Sequence, residues 1–163
     1  MGKEAKTNAM RILERAKVAY TAHEYPHEEG VAVDGVTVAA SIGEDPACVY
    51  KTLVTQGNSR NYFVFVIPVA AELDLKKAAR AVGEKSIELL HVAEINAVTG
   101  YIRGGCSPVG MKKQYPTVFH QTVLDYDTIY ISAGKIGAQV ELAPQALLDL
   151  LGADTADLIV EQG

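Results

Sequence analysis

The segment VYKTLVTQGNSRNYFVFVIPV, residues 49–69, decides how this chain folds. Two runs rich in β-branched and aromatic residues, VYKTLVTQ and NYFVFVIPV, flank Gly57 and Asn58, which predicts an antiparallel hairpin. Strand alternation puts Lys51 on the face of Val49 and Leu53, with Tyr50, Thr52 and Val54 on the other. A lysine among apolar neighbours either carries its amine out to water or meets an anion. The rarity of buried lysines favours the first outcome. The second makes Lys51 a cation at the mouth of a pocket, facing a phosphate or carbonyl oxygen.

Before the hairpin, Ala9, Ile12, Leu13 and Ala16 recur at helical spacing behind a Thr7 or Asn8 cap. VAYTAHEY (18–25) alternates as a strand, residues 26–35 form an acidic loop, and VTVAASIG (36–43) is a short helix stopped by Gly43. After the hairpin, Asp74 caps the helix LKKAARAV, and Gly83 ends it. SIELL (86–90) reads as a short strand and HVAEINAVTG (91–100) as a helix. TVFHQTVLDYDTIYIS (117–132) and AQVEL (138–142) read as strands around the turn AGKIG. Pro144 opens the helix QALLDLLG, and ADLIV (156–160) makes a final strand. Short strands and helices mixed without repeated βαβ units predict an α+β domain with a mixed, largely antiparallel sheet. No repeat or linker interrupts residues 1–163, so a single domain is expected.

Hydrophobic residues make up 48% of the chain and charged residues 21%, the balance of an ordinary globular protein. No apolar run reaches membrane-spanning length and the first ten residues are too polar for a secretory signal, so a cytoplasmic location is expected. Cys48 and Cys106 form neither a metal-ligand spacing nor a disulfide framework. A net charge of −5 argues against a protein that coats nucleic acid non-specifically, yet leaves room for a local basic patch.

The least regular stretch is TGYIRGGCSPVGMKK, residues 99–113. Its glycines (100, 104, 105 and 110) forbid regular structure and lack the spacing of a nucleotide-binding loop. Successive N–H groups in such a turn can form an anion nest or an oxyanion hole; the plainer reading is a tight connection. Cys106 could act as a nucleophile, but His23, His27, His91 and His120 are all distant in sequence, and a packing role is favoured. His23 and His27 flank Tyr25 and Pro26 outside any helix, so no metal site is assigned. Lys76, Lys77 and Arg80 share a helix face whose simplest reading is a solvated one.

Four segments, YKTLV (50–54), LDLKKAARAVG (73–83), the glycine loop (99–113) and ISAGKIGAQVELAP (131–144), occur in this order. Together they resemble the YbaK/EbsC family, free-standing relatives of the editing insertion domain of bacterial prolyl-tRNA synthetases. Within it the chain is most similar to the Cys-tRNA(Pro) deacylases. The resemblance implies one domain built on a curved, barrel-like sheet surrounded by helices. It implies a catalytic Lys51, with the Gly104 and Gly105 backbone binding the carbonyl oxygen. Gly100, Ser107, Pro108 and Gly110 would close around the aminoacyl end together with those two glycines, and Thr52, Tyr25, Ser132 and Gln139 would bind the substrate beside it. Gln139 stands where many relatives carry aspartate, and Cys106 where they carry an aliphatic residue.

The implied partners are mischarged tRNA, held by its 3′ CCA end and aminoacyl ester, and prolyl-tRNA synthetase; DNA, membrane, metal and cofactor are not expected. In the family's proposed chemistry the thiol of the misattached cysteine attacks its own carbonyl, so the reaction is a deacylation by name and a lyase-like cyclisation by form. Three alternatives stay open: hydrolysis of Ala-tRNA(Pro) by water, a non-catalytic tRNA-binding module, and a hydrolase using Cys106.

Overall fold

A computed structural model of the chain describes residues 6–161. Thr7 caps the first helix, α1 (Asn8–Arg15), its hydroxyl accepting from the Met10 N–H. Strand β1 (Tyr20–Glu24) leads to the short helix α2 (Gly35–Ser41), capped by Asp34. The hairpin follows as β2 (Tyr50–Gly57) and β3 (Tyr62–Pro68), paired antiparallel from Tyr50↔Pro68 to Gln56↔Tyr62. Next come α3 (Leu75–Val82), β4 (Ile87–Leu89) and α4 (Val92–Thr99). The C-terminal part holds β5 (Thr117–His120), β6 (Ile129–Ser132), β7 (Ala138–Leu142), α5 (Pro144–Leu151) and β8 (Asp154–Ala156).

The strands form two sheets rather than one, and among the described residues they close no barrel. The smaller has the order β1-β7-β6 and is antiparallel throughout. The larger runs β4-β2-β3-β5-β8, with β5 parallel to both β3 and β8, so it is mixed. An isolated bridge between Val49 and Tyr130 joins the two sheets. The main core lies between them: Tyr50, Val64, Val66 and Phe119 from one sheet meet Ile131, Val140 and Leu142 from the other, under α1 and α5. The opposite face of the hairpin, Phe63, Phe65 and Ile67, packs beneath α3. Alternation along β3 divides it between two cores, which is why it reads as a continuous apolar run.

Three local expectations change. Residues 117–132 are not one strand: a 3-10 turn, Gln121–Asp125, breaks them so that β5 and β6 lie in different sheets. The β-branched composition does not reveal that crossing. The last strand is Asp154–Ala156, displaced from 156–160, where the chain instead bridges Leu73 to Ile159. The hairpin turn extends to Asn61, whose carbonyl accepts from the Gly57 N–H at 2.9 Å, and the residue at positive φ is Arg60 (77°), not a glycine.

His120 ties the C-terminus to the larger sheet. Its ring is 4% exposed, and Nδ1 accepts from the Leu158 N–H at 3.2 Å, which leaves the proton on Nε2. Burial holds its pKa below the ordinary value, with Asp157 opposing more weakly. A depressed folded-state pKa contributes stability that is complete above the unfolded value of about 6.5 and lost as pH falls through the folded one. Denaturant melts should therefore show stability declining from pH 7.5 to pH 5, and His120→Asn should flatten that slope. An unchanged slope would remove His120 from the account.

Candidate active site

Strand β4 pairs with β2 only over Thr55–Gly57, which leaves the β2 edge open beside Lys51, Thr52 and Leu53. A cavity of about 650 Å³ runs along that edge, so side chains from both faces of the strand reach it. Its walls are the start of β2, the segment from Ala32 into α2, the glycine loop, and one face of the smaller sheet. That sheet contributes by alternation: Ala138, Val140 and Leu142 enter the core, which turns Gln139 toward the cavity between its register partners His23 and Ser132. Lys51, Thr52, Tyr25, Gly104, Ser132 and Gln139 all line the space, together with Asp34, Arg103 and Cys106.

Lys51 is half-buried, and among the described residues its ammonium makes no hydrogen bond or ion pair. Burial lowers its pKa from the ordinary lysine value, and the Glu72 carboxylate opposes that shift more weakly. Two buried oxygens in the same walls, Thr52 Oγ1 and Gln139 Oε1, lack any hydrogen-bond partner among the described residues. Unpaired buried polar atoms are uncommon, because each forfeits its hydration. Ser132 Oγ accepts from the Gly134 N–H at 3.1 Å and keeps its own proton to donate. Tyr25, 5% exposed, is fixed through its backbone N–H, which donates to the Gly137 carbonyl at 2.9 Å. The cavity thus offers two cations, Lys51 and Arg103, two open acceptors, and the Thr52 and Ser132 hydroxyls as donors.

Residues Ile102 to Gly105 make a tight turn in which the Gly105 N–H donates to the Ile102 carbonyl at 2.9 Å. Gly104 sits third in it at φ 86°, the position of a type II turn that requires glycine. A Cβ there would also come within 2.8 Å of Ala32 Cβ. The paired glycines therefore differ. Gly104 lines the cavity, and among the described residues its N–H has no acceptor, whereas the Gly105 N–H is already bonded and cannot serve as a second oxyanion donor. Gly105 packs against the backbone of Lys135 and Ile136.

Four more loop residues lie off the cavity and shape the loop. Gly100 ends α4 at φ 87°, and Gly110 (φ 84°) lets the Tyr101 hydroxyl pass. Pro108 is buried, as is Ser107, whose Oγ accepts from the Val109 N–H. Cys106 does reach the cavity, but burial pushes its thiol up to about 12, and none of the four histidines lines the space. It has no base beside it and is not a thiolate.

Sequence reasoning missed Arg103, Asp34 and the rest of the Ala32–Val38 wall. The one local signal there is Asp34 followed by Thr37, whose N–H and hydroxyl both donate to the Asp34 carboxylate. Among the described residues no three His, Cys, Asp or Glu side chains converge as metal ligands would. Among the described residues no helix is long and apolar enough to cross a membrane.

The chain belongs to a recognisable class. The family model for the aminoacyl-tRNA editing domain matches residues 30–150, and the chain belongs to that family. A relative from Enterococcus faecalis, described as a candidate Cys-tRNA(Pro)/Cys-tRNA(Cys) deacylase, EbsC, is 46% identical over 159 residues, covering 98% of this chain and 96% of its own. A crystal structure of a candidate trans-editing enzyme for prolyl tRNA synthetase superposes with a TM-score of 0.80 at 26% identity, covering 96% of this chain and all of its own. A scaffold used for computational grafting of linear epitopes gives a TM-score of 0.82 at 27% identity, over 94% of this chain and 96% of its own.

Two substitutions test the physical description. Lys51→Met removes an unpaired, half-buried charge and should raise the melting temperature by about 2 °C or more. A lower melting temperature would mean that the ammonium has a stabilising partner. Gly104→Ala combines a positive φ with a collision and should lower stability by roughly 1–3 kcal/mol in denaturant melts.

Proposed function

We propose that this chain is a trans-editing deacylase that cleaves the ester between cysteine and the 3′-terminal adenosine of Cys-tRNA(Pro). The observation that carries the proposal is an unpaired Lys51 in the same cavity as the partnerless Thr52 Oγ1 and Gln139 Oε1. A cavity of about 650 Å³ has room for an aminoacyl group and part of its nucleoside. Membership of the editing family and the name of the enterococcal relative support the substrate class.

The proposed chemistry uses the substrate's own thiol. Its sulfur attacks the ester carbonyl, a C–S bond forms, the C–O bond to the ribose breaks, and the ribose oxygen takes up the thiol proton. The products are a cyclic thiolactone and free tRNA. A thiol with a pKa of about 8.5 is partly ionised near neutral pH and a hydroxyl is not, so serine is rejected by chemistry rather than size. The protein then supplies position and charge. Lys51 holds a phosphate or the ribose of the CCA end, and the Gly104 N–H, as a single donor, faces the developing oxyanion. Thr52 Oγ1 and Gln139 Oε1 accept hydrogen bonds from the aminoacyl group and its ammonium. Gln139 holds that ammonium without a full negative charge, so binding there is weaker than a carboxylate would give. Prolyl-tRNA synthetase, the source of the mischarged tRNA, is the proposed partner.

The test is release of labelled amino acid from Cys-tRNA(Pro), Ala-tRNA(Pro) and Ser-tRNA. Wild type should release cysteine selectively; Lys51→Ala should lower kcat/KM by about 100-fold or more, and Cys106→Ala by less than about threefold. Release of alanine would replace cysteine as the substrate. Loss of activity with Cys106→Ala would reinstate a protein nucleophile.

A further inference from the structure

The glycine loop that walls one side of the cavity is basic although the chain carries a net charge of −5, and its Arg103 lines the cavity. Residues 95–124 contain no Asp or Glu, in a chain with 20 of them, yet hold Arg103, Lys112 and Lys113. A second acid-free stretch, 128–140, adds Lys135. Packing joins the two stretches where a Cβ on Gly105 would meet Lys135 Cα at 3.0 Å; within the first stretch, one on Gly100 would meet the Lys112 side chain at 3.4 Å. Arg103 reaches the cavity itself. Arg103, Lys112 and Lys113 are exposed and Lys135 is half-buried. Among the described residues none of the four enters an ion pair; Lys112 Nζ donates to the Ala97 carbonyl at 3.2 Å.

The neighbouring segment has the opposite sign. Glu28, Glu29 and Asp34 lie in or beside the segment whose Ala32 touches Gly104, and Asp34 lines the cavity. The charges are therefore segregated by segment, basic along the glycine loop and acidic along the neighbouring segment that touches it at Gly104.

We propose that the lip formed by Arg103, Lys112, Lys113 and Lys135 is the docking surface for the RNA phosphodiester backbone that leads to the 3′ end in the cavity. The occupant of the cavity rests on the editing reading above. Four cations without internal counter-charges match a phosphate chain, and the acidic segment repels it, so the strand leaves the cavity over one side only. An acidic protein can in this way engage a polyanion through a local field. The same lip orients the 3′ nucleotide before Lys51 meets it.

The experiment is filter binding of uncharged tRNA across a salt series, with wild type, the triple variant Lys112→Ser/Lys113→Ser/Lys135→Ser, and a control, Lys76→Ser/Arg80→Ser, on exposed cations of α3. Each phosphate contact adds about 0.7–0.9 to the slope of log K against log salt, so the triple variant should lose about two units of slope and bind roughly tenfold more weakly at low salt. The control should match wild type, and thermal melts should confirm that all three are folded. Equal losses in the control, an unchanged slope in the triple variant, no tRNA binding by wild type, or preference for vesicles of acidic lipid would each overturn the docking surface. Because uncharged tRNA is the probe, binding that depends on this lip stands even where no deacylation is found. Conversely, turnover with an unchanged slope removes the lip and leaves the enzyme.

Discussion

The open edge of β2 beside Lys51 is the constraint on which the rest of the site depends. A β-strand normally satisfies both edges, and an unpaired one is a liability in water. Here β4 stops short, pairing with Thr55–Gly57 alone, while at the other end the smaller sheet packs on Tyr50 through the core and is bridged by backbone at Val49–Tyr130, just ahead of β2. The gap between these two contacts is the cavity. Lys51 stands at its edge with a partly desolvated ammonium, which costs stability in the free protein and which, in the proposed function, an anion would offset. Gln139 and Thr52 repeat that logic with neutral oxygens. A binding surface prepared in this way needs little rearrangement to receive its ligand.

The glycine loop serves the cavity mostly from outside it. Gly100, Gly105 and Gly110 give the chain room to fold against Lys112, the Lys135 turn and Tyr101. The result is that Arg103, Gly104 and Cys106 are presented to the cavity while their neighbours are buried or turned away. Tyr101 acts as the internal strut, its hydroxyl donating to the Val109 carbonyl and its ring lying against Gly134. The division of labour explains why a loop with four glycines contributes one backbone donor rather than a nest of them.

The chemistry follows from what the cavity lacks as much as from what it holds. Among the described residues it contains no histidine, its thiol is protonated, and its one carboxylate, Asp34, is bonded to Thr37 and held below its usual pKa chiefly by the Thr37 hydroxyl. Such a site is poorly equipped to generate a nucleophile and well equipped to position a substrate that brings its own. In the proposed reaction, specificity rests on the reactivity of the amino acid side chain.

The hairpin, the caps of α1 and α3, the stop at Gly83 and the Pro144 helix were legible in the sequence, because each depends on neighbours within a few residues. Lys51 was legible as an anomaly, a charge in an apolar strand, and the order of four short motifs identified the family to which it belongs. Other features depended on contacts between distant segments: the division of the strands into two sheets, the crossing at Gln121–Asp125 and the displaced final strand. The difference between Gly104 and Gly105 was also hidden, since it turns on one hydrogen bond to Ile102 and on the approach of Ala32 and Lys135. The sequence by itself determined the local elements and the residues able to carry charge and flexibility, through propensity, capping and alternation. Only the tertiary structure decided which of them share a cavity, because burial and unmet hydrogen bonds arise where segments far apart in the chain come together.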